Sequence, residues 1–250
     1  MQHPDLPNDT ASPEQAARKD LAATFRWFDR LGMSEAIANH FSYALDPGGE
    51  RFLMNPYGVH WGTLKAQDLL TLEAAHLPDD LRDRVDPTGW SIHGAIHRNV
   101  PGARCVMHLH SRYATALSIL KDPSLPPLDQ TSMRFYNRVE IDLGFDGMGL
   151  AEEGERLSTL LKEKRILMMG QHGVLVVNET IAGAFDDIYH FERACETYLI
   201  AAATGKELNP APAEIAEKTA RQWEDYPGFA ERHLAAVRKV LDVQDPDYAV

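Results

Sequence analysis

The stretch Arg104-Cys-Val-Met-His-Leu-His-Ser111 lies near the middle of a 250-residue chain. Cys105, Val106, Met107 and Leu109 are apolar or β-favouring and follow a Pro101-Gly102 break, so the run predicts a β-strand. Side chains alternate faces along a strand, which points His108 and His110 one way and Met107 and Leu109 the other. Two imidazoles at i, i+2 on a rigid strand can grip one metal ion without a loop having to order. An isolated His-x-His is also common among satisfied core residues, so the motif needs a third partner. That partner is expected in Arg165-Ile-Leu-Met-Met-Gly-Gln-His-Gly-Val-Leu-Val-Val177, where two apolar runs flank a polar centre and read as strand, tight turn, strand. His172 sits between Gly170 and Gly173, where the backbone can turn sharply and carry a side chain to the end of a sheet.

Three neutral imidazoles on Zn²⁺ leave a fourth position open, which is the pattern of a catalytic site rather than a structural one. An open metal can polarise a carbonyl oxygen and stabilise the enediolate beside it. The two cysteines, Cys105 and Cys195, fall in an expected strand and an expected helix and read as reduced packing residues. The formal net charge is −12, from 37 acidic and 25 basic residues, and no Lys/Arg cluster follows a phosphate backbone. Nucleic acid and anionic membranes are therefore poor partners. No apolar run approaches the roughly 20 residues that span a bilayer, and Met1 to Asp9 lacks a signal-peptide pattern. The expectation is a cytoplasmic enzyme acting on a small molecule.

Residues 1–12 are expected to form a flexible tail and 13–250 one domain. Ser12, Pro13 and Gln15 make a capping-box start for a helix that carries Leu21, Phe25 and Phe28 and stops at Gly32. Strands are expected at 40–45 and 51–54 around the turn Asp46-Pro-Gly-Gly49, and Asn55-Pro-Tyr-Gly58 makes a further turn. Helices are expected at 64–70, 88–99, 113–120, 152–164, 180–203 and 213–241. Residues 77–87 and 121–130 read as irregular, 133–143 as strand, and Asp146-Gly-Met-Gly149 as a turn. The mixture suggests one α/β domain around a largely antiparallel sheet.

At this point the chain resembles the class II aldolase/adducin family. The resemblance rests on Asn39-His-Phe-Ser42, Asn55-Pro-Tyr-Gly58, Ile92-His-Gly-Ala-Ile-His-Arg-Asn-Val-Pro-Gly102 running into His108-Leu-His-Ser111, Gln171-His-Gly-Val-Leu175, and Phe191-Glu-Arg-Ala-Cys195. It covers about Asp20 to Ala203 and implies a three-layer α/β/α fold, a homotetramer with active sites between subunits, and a divalent metal. Zinc is the first expectation, with Mn²⁺ and Fe²⁺ as alternatives, held by His108, His110 and His172. It also implies substrate contacts at Asn39, Ser42, Tyr57, Gly58 and Thr88. The family's aldolases carry a catalytic acid at the position of Gly89, and two of their three small phosphate-binding hydroxyls are replaced here by Tyr57 and Pro87. The chain is thus closer to the adducin-like bacterial branch, and a sugar phosphate is disfavoured.

With that acid absent, His93 and His97, four apart on one helix face, are the expected proton-transfer groups. His93 could equally be a packing residue bonded to backbone. Gln130 matches a residue that family members present to a neighbouring subunit. Glu192 reads as an ordinary helix charge. The expected function is a metal-dependent lyase acting on a small non-phosphorylated hydroxy-carbonyl compound through a metal-stabilised enolate. A non-heme iron oxygenase or a decarboxylase on the same scaffold is the alternative, and a non-catalytic adducin-like binding module is less favoured.

Overall fold

The computed structural model describes residues 12–144, 147, 152–161 and 164–250. All but residue 12 of the expected tail at 1–12, and most of the expected turn at 146–149, lie outside the described residues. Helix α1 (Pro13–Arg30) begins with the expected capping box: Gln15 N–H donates to Ser12 Oγ and Ser12 N–H to Gln15 Oε1. Its inner face buries Leu21, Phe25 and Phe28.

Strands β1 (His40–Ala44) and β2 (Arg51–Met54) form the expected hairpin. The Asp46 carboxylate closes it by accepting from the N–H groups of Gly48, Glu50 and Arg51. The helix expected at 64–70 is instead two 3-10 turns, Trp61–Thr63 and Ala66–Asp68, leading into β3 (Leu70–Glu73). The overlooked signal is period two: Leu70 and Leu72 are buried while Thr71 and Glu73 turn outward. The irregular segment at 77–87 contains a 3-10 turn over Asp79–Arg84.

Helix α2 (Pro87–Asn99) is capped by Asp86 and leads through Pro101-Gly102 to β4 (Cys105–Leu109). Helix α3 (Arg112–Ser118) follows directly. Of the strand expected at 133–143, only β5 (Val139–Asp142) forms. Asp129 Oδ1 accepts from Ser132 N–H and nucleates the short helix α4 (Gln130–Met133) before it. Helix α5 (Glu153–Leu161), strands β6 (Ile166–Met169) and β7 (Gly173–Asn178), and helix α6 (Ile181–Ala203) match the sequence pattern. The single helix expected at 213–241 is two, α7 (Ala213–Glu224) and α8 (Phe229–Gln244). The break falls at Pro227, which has no N–H to donate, and Gly228, whose φ of 69° is left-handed.

The seven strands pair in the order β3-β2-β1-β4-β7-β6-β5, and only β5–β6 is parallel. Helices α2 and α5 cover one face, with Ile92, Ile96, Leu157 and Leu161 against Val106, Leu167 and Leu175. Helices α1, α3, α6 and α8 cover the other, where Phe25, Phe28 and Phe185 pack on Phe41 and Met107. Each of these fully buried apolar side chains contributes about 1.5–3 kcal/mol. The result is the expected three-layer α/β/α domain. No helix among the described residues is long and apolar enough to cross a membrane.

Candidate metal centre

Register places the site. β4 lies between β1 and β7, with His40 opposite His108 and Leu109 opposite Val174. The tight turn before β7 therefore meets the C-terminal end of β4. Gln171 in that turn takes a left-handed φ of 58°, and a Cβ on Gly173 would lie 2.5 Å from the Leu109 carbonyl oxygen. Only glycine permits that approach, and it seats His172 beside His108 and His110.

The three rings converge, with centroids 4.7–4.9 Å apart. Their ligand-type nitrogens all lie within 4.8 Å of one another, and His108 Nε2 is 3.1 Å from His110 Nε2. Two imidazole nitrogens on one tetrahedral Zn²⁺ stand about 3.3 Å apart at ordinary Zn–N lengths, so the spacing suits an ion. The outward nitrogens have acceptors: His108 Nδ1 is 3.1 Å from the Val174 carbonyl oxygen, and His110 Nδ1 contacts the Glu35 carboxylate. Such partners fix which nitrogen carries the hydrogen and leave the other for a metal. Burial, with the neighbouring imidazoles, pushes His108 well below its usual range and His172 down to about 4. Neutral rings are what ligation requires, so the donor set fits a divalent cation.

A cavity of about 510 Å³ opens over these rings. Asn39, Tyr57 and Thr88 line it, together with residues not anticipated for the site, among them His40, Asp86 and Ile92. No Lys or Arg side chain is among the described residues lining it. Asn39 has a left-handed φ of 73°; its Oδ1 accepts from His110 N–H, while its buried Nδ2 has no hydrogen-bond partner. Thr88 Oγ1 donates to Asp86 Oδ1, which also accepts from Thr88 N–H and Gly89 N–H. Burial raises the Asp86 carboxyl, but these bonds and His40 outweigh it and hold it below the usual range.

Three expected residues stand elsewhere. Gly58 is an exposed turn residue with φ 83° outside the cavity lining. Ser42 is fully buried behind the cavity wall, and Gln130 is exposed at the start of α4, away from the cavity. His93 and His97 are buried and do not reach the cavity surface. His93 is not bonded to backbone: its Nε2 meets His40 Nδ1 at 2.8 Å and its Nδ1 meets Ser42 Oγ at 2.5 Å. Ser42 Oγ also meets His97 Nε2 at 2.7 Å. Burial pushes His97 and His40 down to about 4 and His93 well below its usual range.

His40 is the residue that sequence reasoning missed. It stands inside the quoted Asn39-His-Phe-Ser42 motif, two before Ser42 on a strand, which was the available signal. A Cβ at Gly89, where the resemblance implies an acid, would lie 2.7 Å from His40 Cδ2, so the His40 ring fills that space. Glu192 is likewise not an ordinary surface charge. It is buried and accepts from Ser111 Oγ and from the N–H groups of Tyr113 and Ala114, satisfying the start of α3 just beyond His110.

A second group with metal-like spacing is Asp186, His190 and His233, between α6 and α8. Here a cation is already present: Arg134 donates to Asp186 Oδ2 at 2.5 Å and to Asp187 Oδ1 at 2.8 Å. His233 Nδ1 lies 2.7 Å from Asp186 Oδ1, and His190 Nδ1 lies 2.8 Å from the Asp186 backbone carbonyl oxygen and 3.3 Å from Oδ1. Burial raises Asp186, yet His190, His233 and Arg134 together hold it far below the usual carboxylate range. A divalent ion about 4 Å from that guanidinium would meet repulsion on the order of 8 kcal/mol at an effective dielectric of 20.

Comparison with known proteins agrees with this geometry. Residues 19–199 match the model of the class II aldolase and adducin N-terminal domain. A putative aldolase class 2 protein of Caulobacter vibrioides is 32% identical over 219 residues, covering 87% of this chain and 84% of that protein. Decarboxylase NovR of Streptomyces niveus is 30% identical over 239 residues, with 91% and 84% covered. The crystal structure of an aldolase II superfamily protein from Pseudomonas syringae superposes with a TM-score of 0.85 at 30% identity, covering 97% and 98% of the two chains. The chain belongs to the class II aldolase and adducin family.

Proposed function

We propose that this protein is a metal-dependent carbon–carbon lyase acting on a small, non-phosphorylated hydroxy-carbonyl compound. The single observation that carries this reading is the convergence of three neutral imidazoles, each held from behind or by its turn, on a cavity with no Lys or Arg among its described lining residues. His108, His110 and His172 would hold the ion, Zn²⁺ before Mn²⁺ or Fe²⁺, which supplies Lewis-acid polarisation of a substrate oxygen. Phosphate recognition draws on Arg, Lys or several backbone N–H groups, and a cavity bordered by Asp86 repels a dianion. The unpartnered Asn39 Nδ2 is suited to donate to a carbonyl or carboxylate oxygen of the substrate. Tyr57, half-exposed at the rim, suits contact with an uncharged part of it. By family resemblance the working form is a cytoplasmic homotetramer in which Gln130 faces a neighbouring subunit.

A second reading, decarboxylation, is favoured by the 30% identity to Decarboxylase NovR and by Gly89, which offers no carboxylate. Both reactions break a carbon–carbon bond and leave an electron pair beside a carbonyl. A panel of 4-hydroxy-2-keto acids and β-keto acids, assayed with Zn²⁺, Mn²⁺ and Co²⁺ for aldehyde and for CO₂, tests the two together. Aldehyde release from the first set is expected. CO₂ as the sole product would transfer the assignment to the decarboxylase, and no turnover of any compound would overturn both.

A further inference from the structure

A hydrogen-bond chain runs from the cavity wall into the interior behind α2. His40 Nδ1 meets His93 Nε2, His93 Nδ1 meets Ser42 Oγ, and Ser42 Oγ meets His97 Nε2. His97 Nδ1 ends the chain 2.7 Å from the carbonyl oxygen of Ala103. That last contact sets every hydrogen in the series. A carbonyl only accepts, so His97 Nδ1 carries a hydrogen, and a neutral imidazole has only one. His97 Nε2 is therefore an acceptor, and Ser42 O–H is its donor. Ser42 Oγ in turn accepts from His93 Nδ1–H, which leaves His93 Nε2 as an acceptor for His40 Nδ1–H. The remaining nitrogen, His40 Nε2, holds a lone pair, and His40 lines the cavity. Burial of His93 and His97 favours the neutral forms on which this assignment depends.

We propose that His40 is the proton acceptor for the reaction in this cavity, its Nε2 lone pair aimed at the substrate by the His93–Ser42–His97–Ala103 chain. His93, Ser42 and His97 are then positioning residues that act through it. The assignment deepens the lyase reading, on which it depends for the substrate class but not for the geometry. Three observations support His40 over its neighbours. Asp86, the carboxylate that lines the same cavity, accepts three hydrogen bonds at Oδ1, and these together with His40 hold it below the usual range, which weakens it as a base. The ring of His40 is pinned at Nδ1 and lies tilted against His108 with centroids 5.1 Å apart, so Nε2 has a fixed direction. The space it fills exists only because residue 89 has no side chain.

The step balances without any co-reactant. The substrate O–H breaks and its proton passes to Nε2, while the O–H electron pair becomes the new carbonyl π bond as the carbon–carbon bond breaks. The pair from that bond remains on the other fragment and takes the proton back from Nε2.

Two measurements on the full-length, Zn²⁺-loaded protein test the assignment. Nitrogen-15 histidine NMR should show His40 as the Nδ1–H tautomer, and Ser42→Ala should convert it to a mixture. A wild-type His40 found as Nε2–H overturns the proposal whatever the substrate. His40→Asn keeps a donor for His93 but removes the Nε2 base. It should retain one metal per chain and lose at least about 100-fold in kcat on any compound that wild type turns over. Activity within about threefold of wild type would overturn it. Wild-type protein that binds no metal would sink the lyase reading instead, with the tautomer result still deciding the role of His40.

Discussion

Among the described residues stand two clusters of three ligand-type side chains, both within 4.8 Å, and they differ in what faces them. At His108, His110 and His172 the remaining ring nitrogens of the first two meet acceptors, and a cavity lies in front. At Asp186, His190 and His233 the potential ligand atoms bond to one another, and Arg134 already supplies the positive charge. Spacing alone does not separate a metal site from a structural ion cluster. The hydrogen-bond inventory and the sign of the nearest charge do.

The largest effect that would test this contrast concerns metal content. His172→Ala should reduce bound Zn²⁺ from one per chain to near zero by elemental analysis, while His233→Ala should leave it at one. Equal loss in both variants would erase the distinction. Next in size is Arg134→Ala, which strands the Asp186 and Asp187 carboxylates in the interior. Loss of one partner from a buried ion pair costs about 3–5 kcal/mol, so denaturant unfolding should show a drop of that order without loss of metal. A drop below about 1 kcal/mol would mean that the cluster is not held by this charge.

The smallest effect is an acid sensitivity on the sheet face covered by α2. His97 titrates near 6.5 in the unfolded chain but near 4 when folded. Between those values the unfolded state holds more protons, so stability falls as pH drops from 6.5 to 4. The loss approaches about 3 kcal/mol. His97→Phe should make that part of the pH–stability curve shallower by one histidine's share, with His40 and His172 still contributing, measured on metal-free protein so that loss of the ion does not add to the slope. An unchanged slope would remove His97 as its source.

Much of the architecture was legible because local signals agreed with burial. The capping box of α1, the Asp46 turn and the strand-turn-strand around His172 each contain their own physical reason. The convergence of His108, His110 and His172 was legible for the same cause, since period two and a glycine-flanked turn act over a few residues. What escaped depended on partners far away in sequence. Leu64–Leu70 looked helical until β2 supplied a strand edge for Leu70 and Leu72. The 213–241 helix looked continuous because Pro227 and Gly228 sit inside an otherwise helical composition. Glu192 gained its role only from Ser111, Tyr113 and Ala114, some 80 residues earlier. His40 was hidden because its function depends on a ring 53 residues away and on the absence of a side chain at 89.

That absence constrains how the protein can change. A methyl group at position 89 would collide with an imidazole that is pinned by His93 and cannot swing aside cheaply. A carboxylate at 89 and a histidine at 40 therefore exclude one another, and replacing either alone gives a site with a clash or with no base. The two positions should covary as a pair among relatives, so that a lineage moving between the two chemistries must cross both substitutions together.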